Sequence, residues 1–298
     1  MRYALLLPAM LASVVNSASA AVVAVDASGG QVTLAAPARR VISLAPHATE
    51  LLFAAGAGDD VVGVLSPADW PPEAANRPRV GDSGAINLEG ILALRPDLVV
   101  TWPYLAPTQV ERLRAMGIPV YLSNPRTVDA IAGDIERLGA LTGHVDVSGR
   151  TAAAFRTRVA AARDRVAGTT RVRVFYEIWH QPLMTINGDH MIDDVIRRCG
   201  GSNIFANVSS LAPLVSLESV IARRPDVVLG GSSATTPEEF AGQWTKYADY
   251  AGLTGVRAVY IDPDYIQRQT PRILKGAQIV CESLERVRAA RRPRQIAQ

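Results

Sequence analysis

The sequence predicts an α/β protein with two Rossmann-like lobes, each built on a mostly parallel sheet. Short apolar runs alternate with helical patterns along the chain, which is typical of parallel strands joined by helices. A second observation is a repeat, because residues 86–102 read INLEGILALRPDLVVTW and residues 215–231 read VSLESVIARRPDVVLGG. These copies lie much farther apart than the roughly 20–50 residues of a solenoid unit. They therefore indicate two similar lobes, with a cleft between them that suits a small ligand.

Residues 1–20 predict a cleavable export signal. Arg2 gives a positive start, residues 3–15 are mostly apolar, and Ala18-Ser19-Ala20 forms a small-residue cleavage site. A buried N-terminal helix is the alternative. No later run approaches the ~18 apolar residues of a membrane span, and no Cys lies near the cleavage site for a lipid anchor. We therefore expect a free periplasmic protein of a Gram-negative cell.

The two cysteines and the net charge further restrict the compartment and the partners that the sequence predicts. Cys199 and Cys281 would share an oxidising compartment, where we expect a disulfide within the second lobe. Two buried free thiols are the alternative. The formal net charge of +3 is small, and no basic stripe with interleaved aromatic residues indicates a nucleic-acid partner.

We assign residues 21–144 to an N-terminal lobe. Asn87 is typical of a helix cap, Arg95-Pro96-Asp97 stops that helix, and Gly117 ends the next. Residues 45–49 are expected to form a turn. The apolar runs and helical spacing predict strands at 41–44, 61–65, 98–101 and 118–122, and helices at 50–57, 87–94, 109–116 and 128–141.

Residues 169–298 form the expected C-terminal lobe. Gly200-Gly201 closes a helix, and Ser216 caps the helix of the second repeat. Strands are expected at 172–178, 227–229 and 258–261, with helices at 191–199 and 272–286. Residues 145–168 predict one long connecting helix, since Phe155, Val159, Ala162 and Val166 follow helical spacing. Such a stiff spacer implies small hinge motion.

Three tryptophans follow predicted strands. Trp70 lies in the loop after 61–65, Trp102 directly follows 98–101, and Trp179 directly follows 172–178. Ligands of parallel sheets bind outside the carboxyl ends of the strands. We therefore expect these rings to contact a large, flat, amphipathic ligand. The alternative is that each ring caps its own sheet.

Polar groups and one methionine share the same predicted rims. Asp82 and Ser83 precede the first repeated helix, Met184 follows Trp179, and a further group follows strand 258–261, namely Asp264, Tyr265 and Arg268. We expect all of them to line the ligand site. Asp82 as a turn residue and Arg268 as an ion-pair partner remain the alternatives.

Patterns that would indicate an enzyme are weak. Gly81-Asp82-Ser83-Gly84 matches a serine-protease nucleophile string, but nothing marks any of the four histidines as its base. His180, Asp189 and His190 are candidates for a metal site, which needs three or more ligands. No Gly-rich phosphate loop follows a strand. We expect no catalytic residues, resident metal or catalytic cofactor, with a secreted hydrolase as the rival class.

Several strings together carry a family resemblance. They are VISLAPHATE from Val41, SPADWPP from Ser66, NLEGILALRPDLVV from Asn87 and CGGSNIF from Cys199. They resemble the helical-backbone substrate-binding proteins of ABC importers, which carry cobalamin, ferric siderophores or haem. The resemblance extends from about residue 39 to residue 286. Asp69-Trp70-Pro71-Pro72, Trp102 and the paired cysteines resemble the cobalamin branch.

The resemblance implies a bound corrinoid, a permease dimer as partner and a monomeric carrier. Ligand contacts carry over to Trp70, Trp102, Asp264, Tyr265 and Arg268. Aromatic residues of the cobalamin branch are replaced here at Asp82 or Ser83 and at Ala212, and Trp179 compensates from the opposite lobe.

Glu89 and Glu218 match the carboxylates that dock on the permease, and recurrence on both lobes suits a two-fold partner. Both also suit simple helix starts. A siderophore would need convergent arginines such as Arg268 and Arg126, and haem an axial Tyr104 or His47.

Overall fold

The computed structural model describes residues 21–82, 84–105, 107–163, 169–251 and 256–291. The expected export signal, Ser83 and the end of the expected connecting helix lie outside these residues. An antiparallel hairpin comes first, formed by β1 (Val22–Val25) and β2 (Gln31–Leu34). In the described part of the chain, no helix is both long enough and apolar enough to cross a membrane.

The first large sheet is parallel throughout. Its strands are β3 (Val41–Ser43), β4 (Val61–Val64), β5 (Leu98–Thr101) and β6 (Val120–Leu122). They lie in the order β4-β3-β5-β6. The helices around this sheet are α1 (Pro46–Ala54), α2 (Leu88–Ala93), α3 (Pro107–Ala115) and α4 (Val128–Thr142).

One local prediction in this lobe is wrong. Residues 45–49 were expected to form a turn, yet α1 already begins at Pro46. Ala45 is extended and precedes the helix, and Pro46 occupies its first turn. Proline suits that position because its missing N–H would have no helical partner there.

The long connecting helix is present as α5 (Val145–Arg163). It packs along α4, and Ala152, Phe155 and Val159 are buried. The expected continuation over 164–168 lies outside the described residues. Gly149 does not interrupt the helix.

The second large sheet is also parallel. Its strands are β7 (Val172–Glu177), β8 (Gly201–Asn203), β9 (Val227–Gly230) and β10 (Arg257–Tyr260), in the order β10-β9-β7-β8. The helices are α6 (Met191–Arg198), α7 (Leu217–Ala222), α8 (Pro237–Ala251), α9 (Pro263–Ile266) and α10 (Ile273–Arg291). Three elements of this lobe, β8, α8 and α9, are not among those predicted from the sequence. The two-lobed α/β class with parallel sheets is confirmed.

Each sheet has two apolar faces that enter different cores. In β5, Leu98 and Val100 face one core and Val99 faces another, as the period of two requires. In β7, Val174 alternates with Phe175 in the same way. The inner faces of both sheets belong to one continuous core that runs through the molecule. The outer faces pack against separate cores, one in each lobe.

The repeat is preserved as a matched pair of helix endings. In the first lobe, Arg95 has φ of 45° after α2, and the Arg40 guanidinium donates to the Leu94 carbonyl at 2.7 Å. In the second lobe, Arg224 has φ of 44° after α7, and the Arg173 Nε donates to the Arg224 carbonyl at 3.1 Å. Each lobe thus holds its repeated helix to its sheet with the same chemistry.

The predicted disulfide is confirmed. Cys199 follows the last residue of α6 and Cys281 lies within α10, with their Cα atoms 4.6 Å apart. The bond joins the C-terminal end of α6 to α10 within the second lobe and does not bridge the lobes.

Candidate ligand-binding site

A cavity of about 290 Å³ lies between the lobes, and residues of both lobes line it. Trp102 directly follows β5 and Ile178 directly follows β7, so the cavity sits at the carboxyl ends of both sheets. This is where parallel α/β sheets bind ligands. Its lining comprises Trp102, Tyr104, Asn124, Pro125, Arg126, Ile178, Asp189, His190, Met191, Leu211, Gln267 and Gln269.

An aromatic pair forms one wall of this cavity. Trp102 and Tyr104 meet edge to face with ring centroids 5.2 Å apart, and 36% and 57% of their surfaces remain exposed. His47 lies behind Trp102, with ring centroids 6.1 Å apart, and its Nε2 is 3.2 Å from the Ser123 carbonyl. Burial lowers the pKa of His47 to about 4, so its imidazole is neutral at pH 7. The pair offers a ligand rigid aromatic area.

The remaining lining is polar but carries few charges. Asn124, Gln267 and Gln269 contribute amides, and Arg126 and Asp189 contribute one charge of each sign. His190 lies beside them, and its Nδ1 accepts from the Ile192 N–H at 3.2 Å.

Burial, followed by the nearby charge of Arg126, lowers the pKa of His190 to about 4. The imidazole is therefore neutral at pH 7. With Nδ1 acting as an acceptor, Nε2 carries the proton and is a donor. The cavity can thus exchange several neutral hydrogen bonds with a ligand.

Trp70 lies at a second cavity, which has a volume of about 560 Å³. The Arg272 guanidinium stands 5.1 Å from the centre of the Trp70 ring. The other residues that line this cavity are Glu50, Phe53, Ala54, Gly56, Gly58, Asp59, Pro71, Glu73, Arg77 and Pro271. The structure therefore places Trp70 and Trp102 at different cavities.

An ion-pair cluster holds Arg268. Its guanidinium pairs with Glu50 at 3.1 Å, Asp69 at 2.7 Å and Asp264 at 2.8 Å. Glu50 also pairs with Arg272 at 3.1 Å, so the cluster ties the first lobe to the second. Burial raises the pKa of Glu50, although both arginines oppose the shift. Arg268 is thus an ion-pair partner in this structure, and its contact with a ligand stays a prediction.

Asp82 and Tyr265 occupy different surroundings from Arg268. The Asp82 carboxylate accepts from the N–H groups of Gly84 at 2.8 Å and Ala85 at 3.1 Å, as a turn residue does. The Tyr265 ring lies under cationic side chains, since Arg272 is 5.5 Å and Lys275 is 5.0 Å from its centre. Ser83 lies outside the described residues.

Trp179 and Met184 belong to one rim of the second lobe. The Trp179 indole donates to the Gln181 carbonyl at 2.9 Å, and the Met184 N–H donates to the Trp179 carbonyl at 2.9 Å. Met184 also bridges to Leu214, and both Trp179 and Leu214 are exposed. This rim follows β7, next to the cavity residue Ile178.

The two proposed docking carboxylates occupy matching positions. Glu89 and Glu218 are exposed in the first turns of α2 and α7. The N-cap side chains accept from backbone N–H groups, with Asn87 bonded to Gly90 at 2.9 Å and Ser216 to Ser219 at 3.2 Å. Hydrogen bonds from its own backbone N–H and from Ser216 lower the pKa of Glu218.

The three amides of the cavity are not among the residues predicted from the sequence. Asn124 lies two residues after β6, so the strand-end rule that selected Trp102 would also have selected it. Gln267 and Gln269 flank Arg268, which was selected for its charge. Their contribution depends on α9, a short helix without a clear periodic pattern.

Comparison with known proteins identifies the family. The model of the periplasmic binding protein family matches residues 41–248. The chain belongs to this family. The vitamin B12-binding protein of Vibrio parahaemolyticus serotype O3:K6 is 37% identical over 256 residues, covering 86% of this chain and 92% of that protein. The vitamin B12-binding protein of Yersinia pestis is 36% identical, covering 83% and 86%.

Solved structures agree with the fold. The periplasmic vitamin B12-binding protein BtuF of Vibrio cholerae superposes with a TM-score of 0.75 at 35% identity, covering 84% of this chain and 98% of that one. The periplasmic haem-binding protein RhuT from Roseiflexus sp. RS-1 gives 0.69 at 28% identity, covering 85% and 98%. The family resemblance inferred from the sequence is confirmed.

Proposed function

We propose that this protein captures a corrinoid of the cobalamin type between its lobes in the periplasm and delivers it to an ABC importer. The observation that carries the proposal is the inter-lobe cavity, which combines the Trp102–Tyr104 pair with three amides. Relatives named vitamin B12-binding proteins, 36–37% identical over most of the chain, support it.

The chemistry of a corrinoid suits this lining. Its macrocycle is large and flat, which favours contact with aromatic rings. Primary amides fringe the ring, and the side chains of Asn124, Gln267 and Gln269 can both donate to them and accept from them. The ligand is larger than the cavity, so it must extend along the cleft. The exposed rim at Trp179 and Leu214 offers apolar surface for this extension.

Haem is the second candidate, and exposed Tyr104 is the observation that favours it. A phenol at the cavity wall is a suitable axial ligand for haem iron. Two other expected features do not support an anionic iron chelate. His47 is buried behind Trp102, and Arg268 is paired with three carboxylates.

A carrier function requires no chemical step. None of the histidines is arranged as a general base beside a nucleophile in the described structure. His47 and His190 are neutral and bonded to the backbone, His144 pairs with Asp60 at 2.6 Å, and His180 contacts Gln243. We therefore propose a binding protein and not a hydrolase.

The partner we propose is a permease dimer, contacted through Glu89 and Glu218. Both carboxylates are exposed on helices that belong to the outer layers, and the same helix ending fixes each helix to its sheet. Two equivalent carboxylates, one on each lobe, suit a partner with two-fold symmetry. The core shared by the lobes favours a monomer that moves little on binding.

Equilibrium titration with cyanocobalamin tests the function. We expect quenching of tryptophan fluorescence with a dissociation constant below about 1 µM. Haemin is titrated in parallel as the ligand of the second candidate. Absence of cyanocobalamin binding, or tighter binding of haemin, would contradict the corrinoid proposal.

A further inference from the structure

Arg126 is a cation that the cavity leaves without an anionic partner. It lies in the loop between β6 and α4 and lines the inter-lobe cavity. Across residues 21–291, excluding those that are not described, its guanidinium has no hydrogen bond or ion pair. Arg268, by contrast, meets three carboxylates. A side chain of this kind is available to a ligand.

Two acidic side chains at the start of α4 are already paired with an arginine other than Arg126. Asp129 pairs with Arg198 at 2.6 Å, and Asp194 pairs with the same guanidinium at 2.9 Å. Asp194 also accepts from the Val128 N–H at 2.9 Å. Neither of these carboxylates offsets the charge of Arg126, so Asp189 is the acidic residue of the cavity lining that faces it.

The backbone on both sides of Arg126 is fixed. Pro125 precedes it and has a restricted φ angle. Thr127 follows as the N-cap of α4, and its hydroxyl accepts from the Ala130 N–H at 3.2 Å. A charged side chain on a backbone of restricted conformation loses less conformational entropy on binding than one on a mobile loop.

The charges of the lining define the ligand that it suits. Arg126 contributes +1 and Asp189, on the other lobe, contributes −1, while His190 is neutral. Asp189 also lacks an ion pair in the described structure. A ligand with two or more anionic groups, such as haem with its propionates or a ferric siderophore, would find one cation and a repelling carboxylate.

A complete cobalamin matches this arrangement. Its nucleotide loop contains one phosphodiester with a single negative charge, and its cobalt corrin core carries a compensating positive charge. The amide N–H groups at the edge of the corrin can donate hydrogen bonds to a carboxylate such as that of Asp189. Arginine is well suited to phosphate oxygens because its planar fork donates in pairs.

We propose that Arg126 binds the phosphodiester of the corrinoid's nucleotide loop and so makes the protein prefer complete cobalamins over cobinamides, which lack that nucleotide. This inference rests on the proposed function. Arg126 is then a specificity-determining residue, and Trp102 and the amides provide affinity for the corrin ring that both ligand classes share.

The test compares cyanocobalamin with dicyanocobinamide in the full-length mature protein. Arg126→Gln should weaken cyanocobalamin binding roughly 10-fold to 100-fold, as expected for one lost charge-assisted contact. Dicyanocobinamide affinity should change by less than about twofold. Arg112→Gln, which changes an exposed arginine of α3 outside the cavity, is the matched control and should alter neither affinity.

A merely structural role of Arg126 predicts a different result. Equal losses for both ligands, or no loss for either, would overturn the inference while leaving the corrinoid function intact. If the unaltered protein binds neither corrinoid, the proposed function fails and the inference fails with it. Arg126→Lys retains the charge and should recover part of the preference, and raising the salt concentration should weaken only the phosphodiester-bearing ligand.

Discussion

Reducing the bond between Cys199 and Cys281 should destabilise the protein mainly through its unfolded state. The two cysteines are 82 residues apart, so the bond closes a long loop. In the chain-entropy model, a loop of this length contributes about 4.5 kcal/mol to the free energy of unfolding. Cys199 is 1% exposed and a reduced cysteine packs as a small apolar side chain, so the native core should persist.

Urea unfolding of the oxidised and reduced protein, followed by far-UV circular dichroism, measures this effect. We expect reduction to lower the free energy of unfolding by about 3–5 kcal/mol. The slope with urea should also rise, since the unfolded chain expands without the cross-link and exposes more surface. Cyanocobalamin affinity should stay within about twofold, because neither cysteine lines the cavity.

The double variant Cys199→Ala, Cys281→Ala is the control, because added reductant should not change its unfolding curve. A loss below about 1 kcal/mol on reduction would refute the reasoning. It would mean that the unfolded chain retains enough structure to make the loop constraint irrelevant.

Three further predictions concern binding, docking and pH. Trp102 is 36% exposed, which leaves about 90 Å² of roughly 250 Å² available to a ligand. Trp102→Ala removes this surface and should therefore weaken cyanocobalamin binding about 30-fold. An unchanged titration would show that Trp102 does not contact the ligand. Glu89→Arg with Glu218→Arg should leave binding intact and abolish uptake by cells, whereas normal uptake would show that both are only helix starts. Because the pKa of buried His47 is lowered to about 4, its stabilising effect is complete above pH 6.5 and is lost as the pH falls from 6.5 towards 4. Between pH 7 and pH 4.5, the free energy of unfolding measured in urea should therefore fall by up to about 3 kcal/mol more for the unaltered protein than for His47→Gln. Equal decreases for the two proteins would contradict the lowered pKa of His47.

The strands and the repeated helices were predictable because their signals are local. The apolar run of β5 and the cap at Asn87 need no distant partner to be recognised. β8 was missed because Gly201–Asn203 has neither length nor apolar character, and only pairing with β7 makes it a strand. No helical pattern was assigned to Pro237–Ala251, so α8 was not predicted.

The candidate site was harder to predict, since it depends on which of the loops that follow the strands lie close together in the folded protein. Position after a strand selected Trp102 correctly as a cavity residue, but the same rule could not show that Trp70 lies at another cavity. Charge selected Arg268, yet two of its three carboxylate partners, Glu50 and Asp69, come from the other lobe and could not be paired with it from the sequence. Arg126 shows the converse, because only the structure reveals that the nearby Asp129 and Asp194 pair with Arg198 and leave Arg126 without an ion pair among the described residues.

The continuous core has a consequence for how the chain reaches its native state. The inner face of the first sheet, at Val41 and Val100, packs into the same core as Val174 of β7 and Leu284 of α10. A front half synthesised or exported alone would therefore leave the surface of α4 that packs against α6 uncovered until the second lobe arrives. Contacts of such long range slow folding. Completion of this core should thus await the second lobe, and a first lobe produced alone should be less stable than it is in the whole protein.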